Sequence, residues 1–183
     1  QSAHQDAYAP WFSPAMDGSA TRRRNAWDLG ASYNGGHWRA YGKIGTTFRF
    51  ANTDELFGFN PLTGNPAFAG DLRPQHGRIG EIGASASLGP VQARAALYRM
   101  QMKDEIGYDG ALGANVNFDP TRRQGLEAEL DWRIAERLKA RLAYAYTDAE
   151  FRSGPYEGKR MPLVPRDKLT LRNGAIKVFQ TPA

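Results

Sequence analysis

The sequence predicts an all-β fold, an antiparallel up-and-down transmembrane β-barrel segment of about seven strands that forms an incomplete barrel. The first observation is alternation: residues 126–134 place apolar side chains at every even position and charged side chains at every odd one. This is the pattern of a strand with one apolar and one polar face. The second observation is that short turns alternate with long connections along the chain, as in membrane barrels.

Composition limits the other classes. The chain has 183 residues, enough for one domain. It contains no run approaching the ~18 apolar residues of a membrane helix, whereas barrel strands need only half their side chains to be apolar. The absence of cysteine excludes disulfides and thiolate chemistry. A net charge of +5 indicates either a slightly basic surface or attraction to anionic lipid headgroups.

The elements divide the chain into three parts. Residues 1–24 are predicted to be a loop or tail, residues 25–173 the partial barrel, and residues 174–183 an irregular tail. Because the chain opens with Gln1 and no apolar signal segment, we expect a processed protein or a fragment. The predicted strands cover about residues 25–33, 37–50, 78–88, from 91 onward, 117–134, 138–151 and 168–172.

The connections between these strands alternate in length. Asn34-Gly35-Gly36 predicts a tight hairpin, because Asn and Gly tolerate positive φ. Residues 89–90 and 135–137 are the other short turns. The long connections are 51–75, 105–117 and 152–166. Near Tyr98 the alternation changes phase, which predicts a β-bulge or a strand leaving the membrane.

The distribution of side chains on the two faces favours a membrane barrel over a soluble one. Aromatic residues of the apolar face gather near the strand ends, with aliphatic residues between them, as expected at two membrane interfaces. At the strand ends next to the short turns, the aromatic residues are Tyr33, Trp38 and Trp132. At the strand ends next to the long connections, they are Trp27, Phe48, Phe50, Tyr144 and Tyr146. The opposite, charged face suits a polar lumen. Its predicted lumen-facing residues are Arg39, Lys43, Arg49, Glu127, Glu129, Asp131 and Arg133.

Two other classes remain as alternatives. A soluble ligand-binding β-barrel would show the same alternation with its apolar face inside. A barrel enzyme would need a histidine paired with Ser or Asp, but His4, His37 and His76 are scattered. We therefore predict no enzymatic activity, no catalytic residue, no cofactor and no metal site. The oxygen-rich segment 109–119 is interpreted as a polar loop, with calcium ligation as the alternative.

Aromatic residues in the long connections are candidates for contact with a ligand, since exposed aromatics often serve this purpose. Packing within the loops is the alternative for each. The candidates are Phe57, Phe59, Tyr108, Phe118 and Tyr156.

Six motifs in sequence order resemble those of the TonB-dependent outer-membrane receptors, over about residues 25–172. An aromatic strand end with an arginine and a following Glu-Leu is present, with Ala51 where proline is usual. A Leu-Arg-Pro motif is followed by Glu-Ile-Gly, with Gln75 in place of an acidic residue. The six motifs lie at 41–57, 72–83, 98–106, 117–127, 144–149 and 161–169.

The resemblance implies a role in energised uptake of a scarce nutrient, of the ferric siderophore, haem or cobalamin class, across a Gram-negative outer membrane. The implied partners are outer-membrane lipid, the rest of the barrel and its plug, the TonB energy-coupling complex acting through that plug, and a small nutrient ligand. No nucleic-acid partner is implied. The family's barrel has about twenty-two strands, so we expect this chain alone not to be transport-competent.

Overall fold

The structure is a computed structural model, and it describes residues 2–7, 18–59, 66–135, 138–173 and 175–180. It contains fourteen strands in these ranges and one short helix, α1, at Thr53–Leu56. The strands are β1 Ser2–Ala7, β2 Gly18–Arg23, β3 Asp28–Asn34, β4 Trp38–Arg49, β5 Phe57–Phe59, β6 Pro66–Phe68, β7 Gln75–Leu88, β8 Val91–Lys103, β9 Glu105–Asp109, β10 Ala114–Phe118, β11 Thr121–Ala135, β12 Leu138–Phe151, β13 Asp167–Asn173 and β14 Ala175–Gln180.

Eight strands form one antiparallel sheet in the order β14-β13-β12-β11-β8-β7-β4-β3. Sheet neighbours follow one another along the chain apart from intervening hairpins, so the predicted up-and-down order is confirmed. Among the described residues no pairing joins β3 to β14, and the sheet is open. Seven of its strands correspond to the predicted ones, and β14 is the eighth.

The register keeps the two faces of the sheet separate, because directly paired residues point to the same side. Leu130 pairs with Leu142, which pairs with Leu171, so this row is apolar across three strands. Glu129 pairs with Ala143, which pairs with Thr170, on the opposite side. A register shift between Arg133 and Ala135 ends the regular pairing of β11 with β12.

Three further antiparallel pairs lie outside this sheet, β1 with β2, β5 with β6, and β9 with β10. The first pair differs from the loop predicted over residues 1–24. The other two, with α1, occupy segments predicted as the long loops 51–75 and 105–117. The predicted strand 117–134 is split, since β10 ends at Phe118 and β11 begins at Thr121.

One other expectation differs from the structure. Residues 175–180 form β14, paired along β13, where an irregular tail was expected over 174–183. The lack of alternation there had suggested a tail, but hydrogen bonding along an edge strand does not require a half-buried face. β8 is continuous from Val91 to Lys103, and the origin of the change of phase near Tyr98, a β-bulge or a strand leaving the membrane, stays a prediction.

The chain forms two compact units. One, which we call the loop unit, consists of Gln1–Trp27, Thr46–Gly77 and Met102–Pro120. The other, the wall unit, consists of Asp28–Gly45, Arg78–Gln101 and Thr121–Ala183. None of the described segments is a helix of the length and apolarity needed to cross a bilayer.

Candidate functional site

The loop unit has a small hydrophobic core assembled from separate segments of the chain. Ala51, Leu56, Leu72 and Ile106 are buried together, and Phe68 packs against them. Leu56, Leu72 and Ile106 belong to three of the motifs quoted above, and Ala51 stands at the position where proline is usual. The apolar side chains of these motifs therefore join segments of the chain that are far apart in sequence.

Arg49, predicted to face a lumen, is the polar centre of this unit. Its Nη1 donates to Glu55 Oε2 at 2.6 Å, and its Nη2 donates to Gln75 Oε1 at 3.2 Å and to the Ile106 carbonyl at 3.4 Å. The Gln75 oxygen also accepts from the Ile106 N–H at 3.4 Å. Gln75 thus supplies an uncharged acceptor for both the Arg49 guanidinium and the Ile106 N–H.

The Glu55 carboxylate accepts from Asn52 as well as from Arg49, because it also takes part in capping the N-terminus of α1. The Asn52 side chain accepts from the Glu55 N–H at 2.8 Å, and the Asn52 N–H donates to Glu55 Oε2 at 2.9 Å, a reciprocal capping box. Partial burial acts to raise the pKa of Glu55, but the hydrogen bonds and charge of Arg49 and the Asn52 N–H outweigh it, so the pKa lies below its usual value.

The Asn117 side chain hydrogen-bonds to three backbone groups of two residues, Arg73 and Asp104, in the same unit. Its Oδ1 accepts from the Arg73 N–H at 2.8 Å, and its Nδ2 donates to the Arg73 and Asp104 carbonyls, both at 2.9 Å. The Arg73 guanidinium lies 2.8 Å from the Asp104 carboxylate, and His76 Nδ1 lies 3.6 Å from it. Asp104 has a φ of 55°, a conformation for which Asp is one of the more tolerant residues.

The charged face of the wall unit is organised around Glu81. Tyr41 donates its hydroxyl to Glu81 at 2.7 Å, and Lys43 Nζ lies 3.1 Å from the same carboxylate. The Tyr41 ring lies over Gly83, where an added Cβ would approach it to 2.6 Å. Lys43 was predicted to face a lumen, and the structure shows its ion pair.

A second tyrosine lies over a second glycine in the wall unit. The Tyr98 hydroxyl is 2.9 Å from the Thr147 hydroxyl, and an added Cβ at Gly125 would approach the Tyr98 oxygen to 2.8 Å. Gly125 is directly paired with Thr147 across β11 and β12. Gly83 thus makes room for a tyrosine ring, a known device for covering strand glycines. At Gly125 the Tyr146 carbonyl oxygen is nearer still to an added Cβ than the Tyr98 ring, so the backbone of the neighbouring strand also requires a glycine.

The remaining predicted lumen residues lie at the positions that alternation requires. Asp131 is paired with Arg141, whose Nε and Nη2 contact its two oxygens at 2.6 and 2.9 Å. Glu127 and Glu129 are exposed and lie on the same side of β11 as Asp131. Arg39 and Arg133 are also exposed. That this side faces a lumen stays a prediction.

The five candidate ligand residues are not brought together as one described site. Phe57 packs on Phe68 with ring centres 5.8 Å apart, and Phe118 lies against Gly107, so both serve loop packing. Tyr108 and Tyr156 are exposed by 66% and 62%. Tyr156, in the wall unit, packs on Phe151 at 5.8 Å. The Phe59 side chain lies outside the described part of the structure.

The oxygen-rich segment 109–119 is used for local structure. Asp109 Oδ1 accepts from the N–H groups of Ala111 and Leu112 at 2.8 and 3.3 Å, which shapes the β9–β10 turn. Asn115 donates to the Glu55 carbonyl at 3.1 Å. The sequence interpretation did not identify these roles or that of Asn117. For Asn117 the signal available was its position at the start of one of the six motifs, whereas Asp109 and Asn115 lie outside these motifs.

The chain matches the family model described as TonB dependent receptor-like, beta-barrel, over residues 4–178. The protein belongs to this family. The resemblance seen in the sequence is confirmed.

Solved structures of similar fold are transport receptors. The ferric-catecholate import receptor Fiu from E. coli K12 matches with a TM-score of 0.66 and 21% identity, over 85% of this chain and 23% of that one. The copper transporter OprC matches with a TM-score of 0.73 and 18% identity, over 94% and 27%. The ferric yersiniabactin receptor FyuA from Yersinia pestis matches with a TM-score of 0.60 and 19% identity, over 87% and 25%.

These structural matches show the fold alone. The chain spans about a quarter of the length of the solved structures that it matches. No curated protein matches the sequence.

Proposed function

We propose that this chain forms part of the barrel wall of a Gram-negative outer-membrane receptor for energised uptake of a scarce nutrient, and that it is neither an enzyme nor transport-competent alone. The observation that carries the proposal is the family membership over residues 4–178. The convergence of its motifs in the loop unit supports it, because Arg49, Leu72, Ile106 and Asn117 hold separate segments of chain together.

The apolar face of the wall unit supports a membrane location. Leu29, Ile44, Ile82 and Leu97 are each more than half exposed, with exposed fractions of 66%, 54%, 62% and 52%. Apolar side chains exposed together on one surface need an apolar environment. In the outer membrane, hydrocarbon supplies it, and the charged face then borders the lumen and the plug of the whole receptor.

The nutrient belongs to the ferric siderophore, haem or cobalamin class. Relatives of this fold include receptors for ferric catecholate and ferric yersiniabactin and a transporter of copper. Coupling to the TonB complex takes place through the plug. The loop aromatics Tyr108 and Tyr156 are the more accessible of the candidate ligand contacts.

The test is uptake by bacteria that carry the intact gene and by a strain in which the gene is disrupted. Both strains receive labelled ferric siderophores, haem and cobalamin under iron or cobalamin limitation. The proposal predicts that uptake of one nutrient class falls to the level seen without TonB, while the others are unchanged. Equal uptake of every nutrient by the two strains would contradict it.

A further inference from the structure

The charged face of the wall unit places like charges directly opposite each other on neighbouring strands. Arg133 of β11 is paired with Lys139 of β12, and Arg141 of β12 is paired with Arg172 of β13. Directly paired residues point to the same side of a sheet, and their Cβ atoms lie roughly 5 Å apart. Like charges in such positions repel each other and reduce stability. An anion bound between them turns this repulsion into attraction.

Acidic side chains neutralise only part of this cluster of cations. Asp131 is occupied by Arg141, whose Nε and Nη2 lie 2.6 and 2.9 Å from its two oxygens. Glu129 lies two residues before Asp131 and on the same side of β11. Within the part of the chain that the structure describes, neither the Arg133 guanidinium nor the Lys139 ammonium has a hydrogen-bond or ion-pair partner. Both side chains are exposed, so an anion from outside the sheet can reach them.

These two cations line a depression close to residues 89–90, the turn between β7 and β8. Its volume is about 280 Å³, below the range of roughly 300–1,000 Å³ that is typical of sites for drug-sized ligands. A water molecule occupies about 30 Å³ in the liquid, so the space suits a small oxyanion with a few water molecules. The other polar side chains of the lining are Gln92, Asp131 and Arg141.

The chemistry of this lining selects an oxyanion with more than one negative charge. The guanidinium of Arg133 can offer two parallel N–H donors to a carboxylate or a phosphate. Lys139 adds a compact positive charge, and the Gln92 amide adds an uncharged donor. Two cations without a partner on one side of the sheet match a group that carries two negative charges.

The position of the depression relates it to the path of a nutrient. It lies at the end of the sheet that carries the short turns, 89–90 and 135–137. In outer-membrane barrels the short turns are periplasmic. Under the proposed function, the charged face borders the lumen, and the depression therefore lies at the periplasmic end of the lumen.

We propose that Arg133 and Lys139 form a binding site for a small oxyanion with two negative charges, at the end of the charged face next to the short turns. Either an acidic group of the nutrient that leaves the lumen or free phosphate of the periplasm supplies this chemistry. The placement at the periplasmic end rests on the proposed function, whereas the site itself rests on the strand register and the free cations.

The test is isothermal titration calorimetry of the protein purified from outer membranes in an uncharged detergent, with inorganic phosphate as the probe. We expect the Kd to rise about tenfold in Arg133→Gln and in Lys139→Gln, and about 100-fold in the double variant, because each cation supplies a charge-assisted interaction. Asp131→Asn should bind phosphate more tightly than the wild type, because it frees Arg141.

Lys168→Gln is the matched control for these variants. Lys168 is exposed and lies on the charged face of β13, four residues before Arg172 and toward the long connection 152–166. Its replacement removes the same charge from the same face, away from the depression, and should leave the Kd for phosphate unchanged. Heat-modified gel mobility of each variant verifies that it is folded.

Uptake of the labelled nutrient by bacteria that carry the same variants distinguishes the two sources of the anion. A higher KM for uptake in the double variant assigns the anion to the nutrient. Unchanged uptake, together with the weaker phosphate binding, assigns it to free phosphate. Both results uphold the site.

No phosphate binding by the wild type, or equal binding by the wild type and the double variant, would overturn the inference. The proposed function would then stand, because uptake with and without the gene is measured independently. Phosphate binding that depends on Arg133 and Lys139, in a protein whose gene has no effect on uptake of any nutrient, would overturn the proposed function and leave the site in place.

Discussion

At the scale of single residues, the glycines of the charged face have a packing role. The ring of Tyr41 covers Gly83 and donates to Glu81, so any side chain at 83 must displace the tyrosine. The sequence alone does not reveal this contact, because it joins β4 to β7 across a long connection.

We predict that Gly83→Ala destabilises the protein by about 1–3 kcal/mol, the usual range for overpacking. The added Cβ would lie 2.6 Å from the ring and break the Tyr41–Glu81 hydrogen bond. Urea unfolding in detergent micelles measures the change. Gly36→Ala is the control, since no atom lies within 4 Å of an added Cβ there. Equal stability of the two variants would show that Tyr41 does not need the space over Gly83.

Glu55 gives a prediction about pH. Its folded pKa is lowered from the ordinary value of 4.5, so its contribution to stability is complete above that value and is lost as the pH falls through the lower folded pKa. We predict that the backbone amide proton of Asn52 exchanges with solvent faster in Glu55→Gln than in the wild type above about pH 5. The difference in exchange rate should disappear in more acidic solution. Hydrogen exchange followed by mass spectrometry measures it. A difference that is constant down to the most acidic pH would contradict the role of the carboxylate.

At the scale of elements, the loop unit depends on side chains that bond to the backbone of other segments. Asn117 is the clearest case, since it satisfies two backbone groups of Arg73 and one of Asp104. The hairpins β5–β6 and β9–β10 are too short to be stable alone. They therefore rely on such contacts and on the core around Leu56 and Leu72.

We predict that Asn117→Ala reduces stability by about 1–3 kcal/mol, because three backbone groups lose their partner. The change should be accompanied by faster proteolytic cleavage within 66–77 and 102–120. Limited proteolysis of folded protein measures it, with Asp71→Asn, at an exposed position, as the control. Unchanged cleavage in Asn117→Ala would mean that the segments are held by other contacts.

The sequence predicted the long strands well and the short ones poorly, for a physical reason. β11 and β12 have one apolar and one polar face along most of their length, and this period is visible in the sequence without any partner strand. β5, β9 and β10 have five residues or fewer, too few to show a clear period. Asn115 and Asn117 of β10 hydrogen-bond to Glu55, Arg73 and Asp104, which lie on other segments of the chain. β14 was missed because pairing with β13, rather than alternation, defines it.

At the scale of the whole molecule, the two faces of the sheet differ in the polarity of their side chains. The row Leu130, Leu142, Leu171 is apolar, and on the opposite side the row Glu129, Ala143, Thr170 contains a charged and a polar side chain. A soluble barrel and a membrane barrel share this pattern and differ only in which face meets water. Family membership favours the membrane arrangement, and the exposed apolar side chains of the wall agree with it.

The chain has no cysteine, so single cysteines can be introduced at adjacent residues of one strand. The most direct measurement compares nitroxide labels at Glu129→Cys and Leu130→Cys in isolated outer membranes, by their collision rates with oxygen and with a water-soluble nickel chelate. We predict that the label at 130 collides mainly with oxygen, which concentrates in hydrocarbon, and that the label at 129 collides mainly with the chelate. A label at 130 shielded from both reagents, as in a soluble barrel's core, would contradict the account.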